Sequence, residues 1–257
     1  MLPHLDKKVL SLEVQRETYT EHSIPVRHAT SSLESQVILH GPRDKKQIAL
    51  TFDAEMTDGM RANFLSERVK SSYDTHILDI LNQTQTKATL FLTGMWIELY
   101  PNETKAFSQN PLLELGNHSF ADTSYNGACF ELIPIKETQD LEEIETTQKL
   151  LRDVAGVENK IFRFPGGCYS EKNLDIVINQ AGLKVVHWDV AGNDGFTNNA
   201  QSIEKNVIDT VQNGSIIILH MNGAPTAPKT AEALPAILTT LKAKGFEFVK
   251  ISELLVP

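Results

Sequence analysis

The sequence predicts an α/β fold, a distorted (β/α)7 barrel of parallel strands with an N-terminal extension. Three observations carry that expectation. Short β-rich runs alternate with helical stretches over about 200 residues, the pattern of βαβ units and so of a parallel sheet. There are seven such runs in a chain of 257 residues, and closed α/β barrels commonly occupy roughly 250 residues as one domain. No G-x-G-x-x-G turn follows the first run, which argues against an open dinucleotide-binding sheet.

Taken in order, residues 1–44 are polar and irregular, with "EHSIP" and "HGPRDKK" reading as turns. They are expected to form an extension packed on the barrel, with an edge strand around Gln36 to His40. Residues 45–257 are expected to form the catalytic domain. Its strand-like runs are "QIALTF" (47–52), "ATLFLTG" (88–94), "LLELG" (112–116), "KIFRFP" (160–165), "LKVVHWDV" (183–190), "SIIILH" (215–220) and "FEFVKI" (246–251). The helical stretches are "YDTHILDILNQTQ", "ETQDLEEIETTQKLLRDVAG", "EKNLDIVINQAG", "AQSIEKNVIDTVQNG" and "TAEALPAILTTLKAKG". Apolar residues recur in them at spacings of three and four, and a closing Gly is a common helix C-cap.

Composition excludes several classes. With 41% hydrophobic and 22% charged residues, wholesale disorder is ruled out. A formal charge of −9, from 24 basic and 33 acidic residues, leaves no basic face for nucleic acid. A membrane span needs ~20 consecutive apolar residues, and the longest apolar run here is Ile216 to Leu219. Met1 to Lys8 does not read as a signal peptide. The chain is compatible with the trimmed form of an exported protein, so an extracytoplasmic or secreted location is expected, with the cytoplasm left open. Cys129 and Cys168 are too few for a disulfide scaffold or a Cys-rich zinc site. By count they are one disulfide or two thiols.

Chemistry collects after the strands: Asp53 and Glu55, His118 and Asp122, Arg163, Asp189 and Asp194, and His220. In an α/β barrel the strand C-terminal ends form one rim, where active sites sit. Any one of these residues reads better as a wet loop group; the set is what points to function. Asp53 and Glu55, two apart at a strand end, point to the same side and repel unless a cation or proton intervenes. His118 and Asp122 are four apart, and a helical turn from Ser119 would put both on one face to hold a metal. Arg163 precedes the sharp turn Pro165-Gly166-Gly167, whose backbone N–H groups can serve an oxyanion. Trp96, Trp188, Phe164 and Phe196 are candidates to line a sugar groove, although aromatics beside strands are usually core.

In this order these segments resemble the polysaccharide deacetylases of the NodB-homology type (carbohydrate esterase family four), metal-dependent enzymes that remove N-acetyl groups. The resemblance covers about residues 45–252. "ALTFDAE" is similar to the first motif, Thr-Phe-Asp-Asp, and "NHSFAD" to the second, His-Ser/Thr-x-x-His. "RFPGG" resembles the Arg-x-Pro motif, "WDVAGNDGF" partly matches Asp-x-x-Asp-Trp, and "LH" matches the last motif.

The resemblance implies roles. Asp53 is the general base, Arg163 its neighbour, His220 the general acid and Asp194 the second acid of the fourth motif. Leu219 borders the acetyl pocket, while Gly166 and Trp188 are expected substrate contacts. Glu55, His118 and Asp122 are the expected metal ligands. The chain departs from the family at Ala54, where a metal-binding Asp is usual, so Glu55 one residue later substitutes in an Asp-Ala-Glu variant. Asp122 replaces the second His ligand, Gly166 an aromatic, Ala191 an Asp and Gly195 a Trp. The expected cofactor is a divalent metal, zinc in the first place. Two carboxylates move the preference toward Mn²⁺ or another hard ion.

The expected substrate is an N-acetylated glycan, of peptidoglycan or chitin type. A silent carbohydrate-binding relative and a deacylase of a small non-sugar amide stand as alternatives. Because Cys129 and Cys168 both fall in rim loops, they are expected to join as a disulfide.

Overall fold

The structure, a computed structural model, describes residues 32–256 apart from residues 128, 131 and 137. Most of the expected extension, residues 1–31, lies outside the described residues. What is described of it turns through Glu34–Gln36, packs Leu33 and Val37 against the cluster around Phe162 and Val185, and pairs with the sheet at isolated bridges, Ile38 to Val186 and His40 to Ser215. The edge strand expected there is reduced to those two contacts.

Eight strands form one parallel sheet: β1 (Gln47–Ala54), β2 (Ala88–Leu92), β3 (Leu113–Asn117), β4 (Ile161–Phe162), β5 (Lys184–Val185), β6 (Val190–Ala191), β7 (Ile216–His220) and β8 (Glu247–Val249). Their order is β5-β4-β3-β2-β1-β7-β6, with β8 pairing the start of β1. Seven strands were expected and eight are present among the described residues because the run 183–190 changes partner along its length. Its beginning pairs with β4 and its end with β7, so one short segment joins the two edges of the curled sheet. Val186 donates to the Phe162 carbonyl at 2.8 Å and Asp189 to that of Ile216 at 3.3 Å.

The helices are α1 (Asp58–Leu65), α2 (Thr75–Gln83), α3 (Gly94–Leu99), α4 (Pro101–Gln109), α5 (Asp140–Ala155), α6 (Glu171–Asp175), α7 (Ala200–Thr210), α8 (Thr230–Ala243) and α9 (Ile251–Leu254). The five expected helices correspond to α2, α5, α6 with the π-turn Ile176–Gln180 that continues it, α7 and α8. Each of α2 and α7 starts on a side-chain cap: Asp74 accepts from His76 N–H and Asn199 from Ser202 N–H. After α5 the chain reverses at Gly156, in the left-handed conformation at φ 67°.

Alternation along β1 sorts the sheet's two faces. Ile48, Leu50, Phe52 and Ala54 join the main core with Ile77, Ile203, Leu234, Ile237 and Leu241 of the surrounding helices. Ala49 packs on the other face with Phe91, Ile161, Val186, Ile216 and Val249. Thr51 and Asp53 share this inner face with Ala49, so the barrel interior delivers Asp53 to the C-terminal rim. Burial of each large side chain in these layers stabilises the fold by about 1.5–3 kcal/mol.

The lower edge is closed at Gly214, which donates to the Gln47 carbonyl at 2.7 Å and accepts from Gly41 N–H at 2.8 Å. Its φ is 73°, and a Cβ there would stand 2.3 Å from the Pro42 carbonyl oxygen. Gly182 has a similar φ of 68° with open space around it. Gly182→Ala should therefore cost only the left-handed strain, about 1–2 kcal/mol. Gly214→Ala should cost more than about 3 kcal/mol, because backbone must also move. Urea unfolding of both variants checks this; equal losses would contradict it.

Candidate active site

Arg163 follows β4 and is fully buried. Its Nη1 donates to Asp53 Oδ1 at 2.7 Å and to Thr51 Oγ1 at 2.8 Å. Nε and Nη2 donate to the carbonyls of Val186 and His187, each at 3.2 Å. The guanidinium carbon lies 4.0 Å from the centroid of the Phe91 ring. A buried guanidinium is tolerated when a carboxylate and further acceptors replace its water. Burial by itself would raise the Asp53 carboxyl, but Arg163, with His118 and His220, holds it below the usual carboxylate value. Burial in turn pulls the Arg163 value down, against the Asp53 charge that supports it.

The loop after β3 carries His118 and Asp122, and it does not turn helically as expected. Ser119 and Asp122 both take positive φ, 67° and 53°. The reason lies on α5. One oxygen of Glu143 accepts from Ser119 Oγ (2.7 Å), Thr123 Oγ1 (3.2 Å), Phe120 N–H (3.3 Å) and Ala121 N–H (3.4 Å), winding the loop around itself. The two expected ligands nevertheless face each other, with His118 Nε2 3.9 Å from Asp122 Oδ1 and 3.5 Å from Asp53 Oδ2.

His118 Nδ1 lies 2.9 Å from the Arg163 carbonyl. A carbonyl can only accept, so Nδ1 carries a proton, and in the neutral ring Nε2 is the nitrogen left to bind a metal. Nε2 and Asp122 Oδ1 are both buried without a hydrogen-bond partner among the described residues. Burial, with Glu55 and Asp53 nearby, pushes the Asp122 carboxyl well above its ordinary value, against the pull of His220. Glu55 lies just past β1, half-buried. Asn222 clamps its backbone, accepting from Glu55 N–H at 3.3 Å and donating to the Glu55 carbonyl at 2.8 Å. One ligand atom from each of Glu55, His118 and Asp122 lies within 4.8 Å of the others.

His220 ends β7. Its N–H donates to Asp194 Oδ2 at 2.7 Å and its Nδ1–H to Oδ1 at 2.8 Å, while Thr230 Oγ1 donates to Oδ2 at 2.6 Å. Nε2 points the other way, 3.3 Å from Glu55 Oε1. Burial would lower the imidazole value, but the two carboxylates, Asp194 before Glu55, raise it well above normal and so favour the imidazolium. Burial opposes ionisation of Asp194, yet His220 and Thr230 keep its carboxyl low.

Asp53, Glu55, His118, Asp122, Arg163, Asp194 and His220 are thus brought together at one rim. Leu219 is not. As the neighbour of His220 along β7 it points to the opposite face, fully buried in the main core and packed on Gly192. Asp189 is also elsewhere, a correction to its expected place on the rim. It precedes β6, level with the first residue of β7, where it accepts from Ile216 N–H at 2.8 Å and Arg43 Nη2 at 2.7 Å. Trp96 and Phe164 are fully buried core residues, Trp96 packed with Tyr73, Tyr100 and Phe107. Trp188 is half-buried and stacks on His187. Gly166, at φ 61°, sits in the turn Pro165–Gly167, where a Cβ would stand 2.5 Å from Cys129 Sγ. The expected disulfide is present, joining Cys129 to Cys168. Sequence reasoning missed Thr51, Glu143, Asn222 and Thr230. Of these only Thr51 carried a signal, since it shares a strand face with Asp53.

A family model described as polysaccharide deacetylase matches residues 40–186. A peptidoglycan-N-acetylglucosamine deacetylase of Bacillus cereus is 30% identical over 211 residues, covering 82% of this chain and 69% of the relative. A solved peptidoglycan N-acetylglucosamine deacetylase superposes with a TM-score of 0.72 at 27% identity, covering 86% of this chain and 92% of that one. A pseudoenzyme from Bacillus anthracis shares the fold, with a TM-score of 0.68 at 22% identity, over 85% of this chain and 68% of that one.

Arg163→Met should destabilise the protein by about 3–5 kcal/mol, because Asp53 is left as a buried, uncompensated charge. Adding Asp53→Asn should recover part of that loss. The check is a double-mutant cycle by urea unfolding; strictly additive losses would mean the pair is not coupled.

Proposed function

The chain belongs to the polysaccharide deacetylase family, hydrolases of carbon–nitrogen bonds other than peptide bonds, and from that premise we propose that it removes N-acetyl groups from an N-acetylated glycan, of peptidoglycan type, with a divalent metal. The observation that carries this reading is the pair of orphaned buried atoms, His118 Nε2 and Asp122 Oδ1, facing one another beside Glu55. A ring nitrogen and two carboxylates converging on one point suit a cation. One imidazole and two carboxylates fit zinc and shift the preference toward Mn²⁺.

Held there by Glu55, His118 and Asp122, the ion would polarise the acetyl carbonyl and make the attacking water more acidic. The remaining steps belong to the chain. Asp53, kept ionised and oriented by Arg163, takes the proton of the attacking water. His220, kept charged by Asp194, gives its proton to the departing nitrogen as the C–N bond breaks, leaving acetate and a free amine. The backbone around Gly166 would hold the developing oxyanion, and Trp188 would contact the sugar. The Cys129–Cys168 disulfide supports an oxidising, extracytoplasmic location. No helix among the described residues is long and apolar enough to cross a membrane.

Ala54, in place of the usual metal-binding Asp, favours a second reading, a silent glycan-binding relative. Acetate release from N-acetylated peptidoglycan fragments, measured beside metal content, separates the two. Asp53→Asn should lose about 10²–10⁴-fold in rate with its metal retained, whereas Asp122→Ala should lose the metal. Wild-type protein that is metal-loaded but releases no acetate would establish the silent reading.

The pH dependence follows from His220. Its acid form is required, so the rate falls as pH rises through its raised value, and the alkaline limb should lie above the ordinary imidazole value of about 6.5. Asp194→Asn removes an anion that holds the proton, so the limb should move to lower pH. An unmoved limb in the kcat/KM profile would remove His220 as the acid.

A further inference from the structure

Gly166 and Gly167, in the turn after β4, both take left-handed φ, 61° and 70°. A glycine has more backbone freedom to lose than any other residue, so two in succession hold such a shape only if their surroundings fix it. Within the turn, Gly167 N–H donates to the Phe164 carbonyl at 2.9 Å and Cys168 N–H to that of Pro165 at 3.4 Å. Gly167 is walled by Trp188 Cη2 and His187 Nδ1, 2.8 and 3.3 Å from where its Cβ would be. Gly166 is walled by the disulfide. Cys129 Sγ lies 2.5 Å from the Gly166 Cβ position, with Phe130 and Leu132 of the same loop at 3.2 and 3.3 Å. The other half of the bond, Cys168, directly follows the turn and joins it to a loop 39 residues back in the chain.

The ligand side of the site is held by other means. Glu143 grips residues 119–123. Thr147 Oγ1 donates to the Ser119 carbonyl, and the N–H groups of Gly94 and Met95 donate to the carbonyls of Ser119 and Phe120, each at 2.9 Å. The two loops also meet without sulfur. Asn126 Nδ2 donates to the Tyr169 carbonyl at 3.1 Å, and the Tyr125 and Phe164 ring centroids are 5.2 Å apart. Breaking the S–S bond therefore frees the Gly166 backbone while these contacts keep the loops adjacent and the ligands facing one another.

We propose that the Cys129–Cys168 disulfide is a redox switch on this turn: oxidised, it holds the Gly166 backbone ready for the oxyanion, and reduced, the protein stays folded with Glu55, His118 and Asp122 in place but loses turnover. The proposal rests on the deacetylase reading above and adds the regulation of that site. A small dithiol supplies the electrons. Cys129 is buried and Cys168 half-buried, so the reagent's thiolate attacks Cys168 Sγ, the S–S bond breaks and Cys129 leaves as thiolate. The reagent's second thiol then displaces Cys168 and departs as a cyclic disulfide, leaving two electrons and two protons on the two cysteines. Exchange with glutathione disulfide runs the reaction backward. The protein is then idle where thiols are kept reduced and active where disulfides form.

The test compares oxidised, dithiol-reduced and Cys129→Ala/Cys168→Ala protein, each freed of excess thiol and loaded with zinc. Reduction should lower kcat for acetate release about tenfold or more, toward the roughly 10²–10³ that losing an oxyanion donor costs, with KM and zinc affinity unchanged. Glutathione disulfide should restore the reduced protein, and the alanine variant should match it and ignore the dithiol. In parallel, amide hydrogen exchange reads the turn apart from catalysis: residues 164–169 should exchange faster after reduction, and residues 118–123 should not. Faster exchange there supports the switch even if the wild type releases no acetate, in which case the deacetylase reading alone fails. Acetate release with unchanged kcat and unchanged exchange at 164–169 would overturn the switch and leave that reading standing. Reduced protein that unfolds or sheds its zinc would also overturn it, because the bond would then be a staple of the whole fold.

Discussion

The buried ion pair between Arg163 and Asp53 is the interaction on which the rest of the site depends. Arg163 ties β1 to the segment that closes the sheet, through Asp53 and Thr51 on one side and the Val186 and His187 carbonyls on the other. A pair in that setting owes little to Coulomb attraction alone, because desolvation offsets it; the further hydrogen bonds and the Phe91 ring make it tolerable. The same residue acts twice on the chemistry. Its side chain keeps Asp53 ionised, and its carbonyl takes the Nδ1 proton of His118, turning Nε2 into a donor atom. In the proposed mechanism, backbone placement at the end of β4 would thus select both the base and a ligand.

Charge balance explains why the site calls for a cation. Four carboxylates, of Asp53, Glu55, Asp122 and Asp194, meet two fixed positive groups, Arg163 and His220. Arg163 is committed to Asp53 and His220 to Asp194, its nearest anion. Glu55 and Asp122 are left over, one clamped by Asn222 and the other buried without a donor to its Oδ1. A proton on Asp122 relieves that excess, in line with its raised value, and a divalent ion would relieve it more completely. In the proposed mechanism the roles would divide along the same line, with Asp53 and Asp194 serving proton transfer and Glu55 and Asp122 serving as ligands.

Much of this was legible in the sequence. β1, β2, β3 and β7 are short, largely buried runs, and parallel topology sends their C-terminal ends to one rim, so Asp53, His118 and His220 could be grouped before any contact was known. What was illegible has local causes. α1 buries none of its residues, and α3 starts directly at a strand end, so neither shows helical periodicity. The run 183–190 changes partner midway, which no pattern of single residues reports and which moved Asp189 to the wrong end. The His118–Asp122 loop takes its shape from Glu143, twenty-odd positions away, rather than from its own spacing. The opposite facing of Leu219 and His220 was readable in principle, since neighbours on a strand point apart.

The central claim is that Glu55, His118 and Asp122 hold one metal ion beside the Arg163–Asp53 pair. The most direct measurement is a diffraction experiment on zinc-loaded crystals, recorded on both sides of the zinc absorption edge. The account predicts a single anomalous peak at the rim within bonding distance of His118 Nε2, about 2.0–2.1 Å, and of a carboxylate oxygen from each of Glu55 and Asp122. A rim without a peak, or an ion bound while Asp122 turns away from it, would contradict the account.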